Sequence, residues 1–279
     1  MIRTLWAAFN LVVATVPMSL IAIGAAFLGV RGPIYDRLAH LWARWALRVS
    51  GVRVRVEGLE RLPKDAPRII ASNHESWYDV FALAAFIPGP YRFIAKKELT
   101  RIPLFGRAWQ AAGHISVDRS DRQAAIRTLD SAGRSIREDN SSIVIFPEGT
   151  RSPTGELLPF KKGAFMLAIH TGVDIVPVGV SGGRRILPKG SWRVRAGELI
   201  VRFGAPIPTA DYSESNRDAL IQRVRDEIQR LKGPTASGSV AGGTRHAGEQ
   251  SMDAAAGPPL ERPSDPQRPA RPAEPWSRR

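Results

Sequence analysis

The stretch RIIASNHESWYDVFALAAFI, Arg68–Ile87, holds a strand, a turn and a helix in twenty residues. Arg68 to Ser72 is a short apolar run of strand length, and Val80 to Ile87 is apolar in the manner of a helix. Between them lies Asn73-His74-Glu75-Ser76-Trp77-Tyr78-Asp79, a polar strand-to-helix turn, which is where functional side chains concentrate.

The same alternation continues on both sides. Val52, Val54 and Val56 alternate with Arg53, Arg55 and Glu57, the period of a half-buried strand. Downstream, Tyr91 to Ala95 reads as strand, Leu104 to Ala112 as a helix closed by Gly113, and Ile115 to Val117 as strand. Ser120-Asp-Arg-Gln123 is a capping-box pattern opening a helix with Ile126, Leu129 and Ile136 inward. Ile143 to Phe146 is a buried strand, Ala164 to His170 a helix and Val173 to Val180 a strand. Trp192 to Arg195 and Leu199 to Phe203 read as two more strands, before a helix from about Asn216 to Leu231. This order predicts an α/β layered domain, with a mixed central sheet flanked by helices.

The ends differ from this body. Thr4 to Val30 carries no charge, and as a helix it would reach about 40 Å, more than the roughly 30 Å hydrocarbon core of a bilayer. Pro17 is expected to kink or split it. Ile34, Leu38, Leu41, Trp45 and Val49 then mark one face of an amphipathic helix, with Trp42 and Trp45 expected at head-group level. Residues 1–50 therefore read as a membrane-associated helix pair, spanning or half-inserted. The arginines after Val30 put the next domain on the cytoplasmic face of the cell's inner membrane. Residues 51–232 are the catalytic-sized domain. Residues 233–279 are rich in Pro, Gly and Ala, read as disordered, and are dispensable: a chain ending at Leu231 is expected to fold and work.

Lys and Arg number 40 against 26 Asp and Glu, a formal charge of +14. The tail holds six Arg and five acidic residues, so the excess lies on the helix pair and the body. Such a surface attracts anionic lipid, phosphorylated substrates or nucleic acid. With no Cys, disulfides, thiolate zinc sites and thiol catalysis are excluded. The five His are scattered, and no metal site is indicated.

Two turns carry candidate chemistry. In the first, His74 and Asp79 are five positions apart, which puts them about 140° apart on an ideal helix and out of reach. With His74 in the turn and Asp79 in the first helical turn, the carboxylate meets the imidazole and fixes its tautomer, leaving the other nitrogen to deprotonate an alcohol. The second is Phe146-Pro147-Glu148-Gly149-Thr150-Arg151-Ser152, also at a strand end. Gly149 permits close approach of a ligand, Thr150 and Ser152 offer hydroxyls, and Arg151 suits a phosphate. Glu148 either accepts a substrate hydroxyl or positions Arg151. Gly179-Val-Ser-Gly-Gly183 matches G-x-S-x-G, but Pro188 follows too soon for the required helix, and the only later His is His246.

Four blocks together resemble the 1-acylglycerol-3-phosphate acyltransferases of the glycerolipid acyltransferase family. They are Asn73-His74 through Asp79; Lys96, Glu98-Leu99, Pro103, Gly106, Gly113 and Val117-Asp118-Arg119; Phe146 through Ser152 with Phe160-Lys161-Lys162-Gly163; and Ile175-Val176-Pro177-Val178. The resemblance covers about Val52 to Pro206. It implies that His74, oriented by Asp79, deprotonates the sn-2 hydroxyl of lysophosphatidic acid. That oxygen then attacks the thioester of acyl-CoA or acyl-acyl-carrier-protein, giving phosphatidic acid with no cofactor. It also implies that Arg119, Glu148, Gly149, Thr150 and Arg151 bind the acceptor's glycerol phosphate, with help from Lys96, and that Pro177 belongs to an acyl or acceptor pocket. Another lysophospholipid or glycerol-3-phosphate as acceptor stays open. A noncatalytic lipid-binding module does not need the His74/Asp79 spacing, and a nucleic-acid binder does not need the uncharged N-terminal run.

Overall fold

Ile69, Ile70 and Ala71 are all fully buried, yet they serve two different cores. Ile70 belongs to one apolar cluster, whereas Ile69 and Ala71 belong to another. Successive side chains of a strand leave opposite faces, so an unbroken apolar run requires cover on both sides.

The computed structural model describes residues 1–62, 66–118 and 122–234, with side chains in the helix that opens at Arg122 described from 128 onward. These residues belong to one compact unit, Met1–Ala236. Helices α1 (Ile2–Phe27) and α2 (Ile34–Val49) precede strands β1 (Val52–Glu57) and β2 (Ile69–Ser72). Then come α3 (Trp77–Phe86), β3 (Tyr91–Lys96), α4 (Phe105–Ala111) and β4 (Ile115–Val117). The chain continues through α5 (Arg122–Asp139), β5 (Ser142–Ile145), α6 (Gly163–Thr171) and β6 (Ile175–Ser181). It closes with α7 (Gly183–Ile186), β7 (Gly197–Phe203) and α8 (Arg217–Lys232).

Among the described residues, seven strands form a single mixed sheet, ordered β1-β7-β6-β2-β5-β3-β4. Strands β2 to β6 run parallel to one another, while β7 pairs antiparallel with β6 and carries β1 parallel to itself. Val144, Val176 and Val178 face α2 and α3; Ile143, Ile145 and Ile175 face α5, α6 and α8. Strand β2 lies between β5 and β6, and the chain leaves β2 toward one side and later returns past it to the other. The crevice beyond the carboxyl ends at such a reversal is where open α/β sheets bind ligands.

The α1 helix inverts the usual arrangement of a soluble helix. Small or polar residues (Thr4, Ala7, Asn10, Ala14, Ser19, Ala22 and Ala25) face the protein. Leu5, Trp6, Phe9, Val12, Leu20 and Ile21 face outward. Small residues at the helix contact and large apolar ones outside suit a lipid surround, and by length and composition α1 can cross a membrane.

Several expectations change. Helix α1 runs continuously through Pro17 rather than dividing there. Trp42 turns toward the protein: its Nε1 donates to Thr15 Oγ1 at 2.9 Å, and its ring packs on Phe81 and Phe105. Leu41 and Trp45 are exposed, while Ala43, Ala46 and Leu47 are buried. An amphipathic helix with a second, small-residue face can hold the domain and still present an apolar stripe. Trp192 to Arg195 forms no strand; it meets its neighbours through isolated bonds, Val194 N–H to Thr4 Oγ1 and Arg195 N–H to the Ile186 carbonyl. Arg119, the Ser120 cap, the Ile126 side chain and the tail from 235 lie outside the described residues.

Candidate active site

Asn73 fixes the first turn to the sheet. Its Nδ2 donates to the Val180 carbonyl at 2.8 Å and its Oδ1 accepts from Val180 N–H at 2.7 Å, so one amide bridges β2 to β6. Ser76 then caps α3, accepting from Tyr78 N–H, and its hydroxyl donates to the Leu187 carbonyl at 2.9 Å. Asp79, in the first turn of α3, completes a capping box.

Asp79 is fully buried, and its Oδ2 collects three donors: Glu75 N–H at 2.6 Å, Ser76 N–H at 2.7 Å and His74 Nδ1 at 3.1 Å. The carboxylate therefore places the ring hydrogen on Nδ1 and leaves Nε2 as the basic atom. Phe146 stacks on the imidazole with centroids 4.0 Å apart, which holds the ring plane from the other loop. The expected His74–Asp79 pairing is present in the expected geometry.

Gly183 accounts for the glycines that resemble a hydrolase motif. A Cβ there would stand 2.3 Å from Asp79 Oδ1 and 2.9 Å from Ser76 Cβ. The sequence Ser181-Gly182-Gly183 thus lets β6 and α7 close on the dyad's carboxylate, and it does not build a nucleophile elbow.

The second turn follows β5. Glu148 is buried and bolts the two turns together: Oε1 accepts from His74 N–H at 2.8 Å, and Oε2 from Leu158 N–H at 3.0 Å. Burial pushes its carboxyl up to about 7; the two backbone donors oppose this, while the charges of Glu75 and Asp79 add to it. Ser152 N–H donates to the His74 carbonyl at 2.7 Å, a further tie. Gly149 has φ +71, a left-handed conformation that favours glycine, and the Lys161 side chain lies against the space a Cβ would take.

Arg151 is half-buried, with its guanidinium carbon 5.2 Å from the centre of the Trp77 ring. Burial lowers its pKa from the usual arginine value, and the nearby Asp79 charge raises it. Thr150 is exposed and accepts from Lys189 Nζ at 3.2 Å. Lys96 ends β3 at the same edge of the sheet, its ammonium paired with Glu98 at 2.7 Å. The structure thus joins His74, Asp79 and Glu148 directly and brings Arg151 alongside through Trp77.

Beside the site, an apolar cavity of about 80 Å³ lies among α1, α2, α3, α4 and β3, lined by Met18, Trp42, Val80, Phe93, Phe105 and His114 among others. Phe93 stacks toward Phe146 at 6.5 Å, so aromatic rings lead from the cavity to His74. His114 is half-buried there and accepts from Phe93 N–H at 3.3 Å, and burial pushes its pKa down to about 3, so it stays neutral. Among the described residues, no three His, Asp or Glu side chains cluster to hold a metal.

Comparison with known proteins bears on this arrangement. A family model described as Acyltransferase matches residues 53–181. The chain is 37% identical over 185 residues to a 1-acyl-sn-glycerol-3-phosphate acyltransferase of Cocos nucifera, covering 66% of this chain and 59% of that one. It is 35% identical over 178 residues to the human 1-acyl-sn-glycerol-3-phosphate acyltransferase alpha, covering 64% and 63%. It is 38% identical over 180 residues to the Saccharomyces cerevisiae 1-acyl-sn-glycerol-3-phosphate acyltransferase, covering 64% and 59%. The match thus spans about three fifths of these relatives' length. The crystal structure of the 1-acyl-sn-glycerophosphate acyltransferase of Thermotoga maritima superposes with a TM-score of 0.70 at 28% identity, covering 84% of this chain and 96% of that one. With the mixed sheet superposing on that fold and the family model matching residues 53–181, this chain belongs to the acyltransferase family.

Proposed function

We propose that the protein transfers a fatty acyl group from a thioester to the sn-2 hydroxyl of 1-acylglycerol-3-phosphate, producing phosphatidic acid. The observation that carries this reading is the 3.1 Å contact of His74 Nδ1 with buried Asp79, which leaves Nε2 free to act as a base beside a cationic turn. Nε2 takes the hydroxyl proton as the oxygen attacks the thioester carbonyl. The tetrahedral adduct then collapses, the C–S bond breaks, and the leaving thiolate recovers the proton from the imidazolium. Asp79 stabilises the imidazolium throughout. The thioester supplies the acyl group, so the reaction calls for no cofactor beyond acyl-CoA or acyl-acyl-carrier-protein.

Acceptor recognition falls to the second turn. Arg151, Gly149 and Thr150 receive the glycerol phosphate, Lys96 contributes charge from the same edge, and Arg119 supplies a further cation. Glu148 acts by holding the turns in register, since both its oxygens already accept backbone donors. The apolar cavity next to Phe146 offers a place for a short stretch of lipid chain. The enzyme works on the cell's inner membrane with its domain on the cytoplasmic face, a reading supported by the outward-facing apolar side chains of α1 and by the arginines that follow Val30.

The test is an assay of purified protein with lysophosphatidic acid, lysophosphatidylcholine and glycerol-3-phosphate, each against acyl-CoA and acyl-acyl-carrier-protein, with products identified by mass. Phosphatidic acid as the dominant product is expected. Equal use of all acceptors would replace this reading with a broader acyltransferase.

A further inference from the structure

Lys232 is the last residue of α8 and lies well beyond the matched family segment. A lysine at a helix end ordinarily extends its ammonium into water. Here the side chain turns inward and is only 3% exposed. Gly179 of β6 makes this possible: a Cβ on it would stand 2.3 Å from the Lys232 nitrogen and 2.4 Å from the Leu231 carbonyl carbon, so the helix end lies directly on the strand.

From that point the ammonium reaches both site loops. It lies 3.1 Å from Glu75 Oε1, and it donates to the carbonyl of Gly155. Glu75 sits between His74 and Ser76, and its own N–H is one of the three donors on Asp79 Oδ2. The Arg184 backbone also favours the charged form of Glu75, against the burial that raises its pKa. Gly155 follows the second turn, where its N–H donates to Ser152 Oγ at 3.0 Å, and Ser152 N–H holds the His74 carbonyl. One cation therefore links the residue next to the base with the loop that backs it.

We propose that Lys232 is a positioning residue for the His74–Asp79 pair, acting through Glu75 and Gly155 to fix the two site loops against each other. This rests on the acyltransferase reading above, in which that pair carries the chemistry. Stability alone is a poor reason for such a pair, because apolar residues of similar volume often replace a buried ion pair without loss. An apolar pair would pack α8 equally well and would leave the direction of the Glu75 backbone unset.

The test uses the full chain carrying Lys232→Met, and Lys232→Met together with Glu75→Gln. Lys232→Met strands a buried carboxylate, so Tm falls; kcat falls at least tenfold, while KM for lysophosphatidic acid and for the donor stays within about twofold. The double variant removes the stranded charge and recovers Tm, yet kcat remains at least tenfold down. Recovery of kcat along with Tm would reduce the pair to a structural role and overturn the proposal, as would wild-type kcat in Lys232→Met. If the single variant fails to fold, the double variant decides. The wild-type rate in the same assay tests the functional reading separately. The His74 Nδ1 proton resonance tests the positioning without substrate: it should be sharp in wild type and broadened in the double variant, and an unchanged line would contradict the proposal.

Discussion

The two turns that meet at the site are built on opposite plans. In the first, Asn73, Ser76 and Asp79 are buried, and each has named partners: Asn73 on β6, Ser76 on α3 and in the segment after α7, and Asp79 within the turn itself. In the second, Glu148 and Ser152 are tied inward, while Thr150 is exposed and Arg151 rests on an aromatic face. The difference teaches how such a site divides its labour. A base must be held in one orientation before substrate arrives, so its turn is cross-linked; an anion-binding group must close on a mobile head group, so its turn keeps its cations near water.

If the first turn is the rigid half, disturbing its carboxylate has the larger effect. Asp79→Asn removes the charge that orients His74 and stabilises its protonated form, and kcat should fall by roughly 10²–10⁴. Steady-state kinetics with the acceptor's KM little changed is the expected pattern; a loss confined to KM would place Asp79 in binding. Gly183→Ala sharpens the same point, because the new methyl must displace Asp79 Oδ1 or Ser76. Its kcat should drop by about ten- to a hundredfold, in line with a small misplacement of a catalytic group. Full activity in that variant would show the dyad to be tolerant of displacement.

In the second turn the loss should depend on the acceptor. A charge-assisted hydrogen bond is worth about 1.5–3 kcal/mol, so Arg151→Ala should weaken use of lysophosphatidic acid by about ten- to a hundredfold. Arg151→Lys should also be impaired, since the ammonium lacks the planar fork and stacks less well on Trp77. Equal damage with lysophosphatidylcholine would detach Arg151 from phosphate recognition.

The smallest effect concerns Glu148 and appears in stability. Its carboxyl sits near 7 in the fold against an ordinary 4.5, so between those values the folded chain holds a proton that the unfolded chain has released. Stability from this group is present below about 4.5 and is lost as pH rises through about 7, by at most about 3 kcal/mol. The difference in Tm between wild type and Glu148→Gln should therefore change in the variant's favour from pH 5 to pH 8. A difference independent of pH would mean that Glu148 is ionised across the range.

Local signals made much of this legible. The apolar runs at Ile69, Ile143 and Ile175 gave β2, β5 and β6, and the five-residue spacing of His74 and Asp79 foretold their contact once a turn was placed before α3. What could not be read depends on residues far apart in the chain. Asn73 meets Val180, Trp42 meets Thr15, and Lys232 meets Glu75, none of which leaves a periodic trace. Trp192 to Arg195 has the composition of a strand, but a ladder partner is a property of the fold. The end of the domain shows the same dependence: it reads as 51–232, and a chain cut at Leu231 omits the lysine that ties α8 to both loops.

The central claim is that His74 is the base, and the full-length His74→Ala protein tests it most directly. Acyl transfer to lysophosphatidic acid should fall by about 10²–10⁴ with the fold and Tm retained, since the side chain lies in a turn already held by Asn73, Ser76 and Glu148. A folded His74→Ala protein that forms phosphatidic acid at a near-wild-type rate would contradict the account.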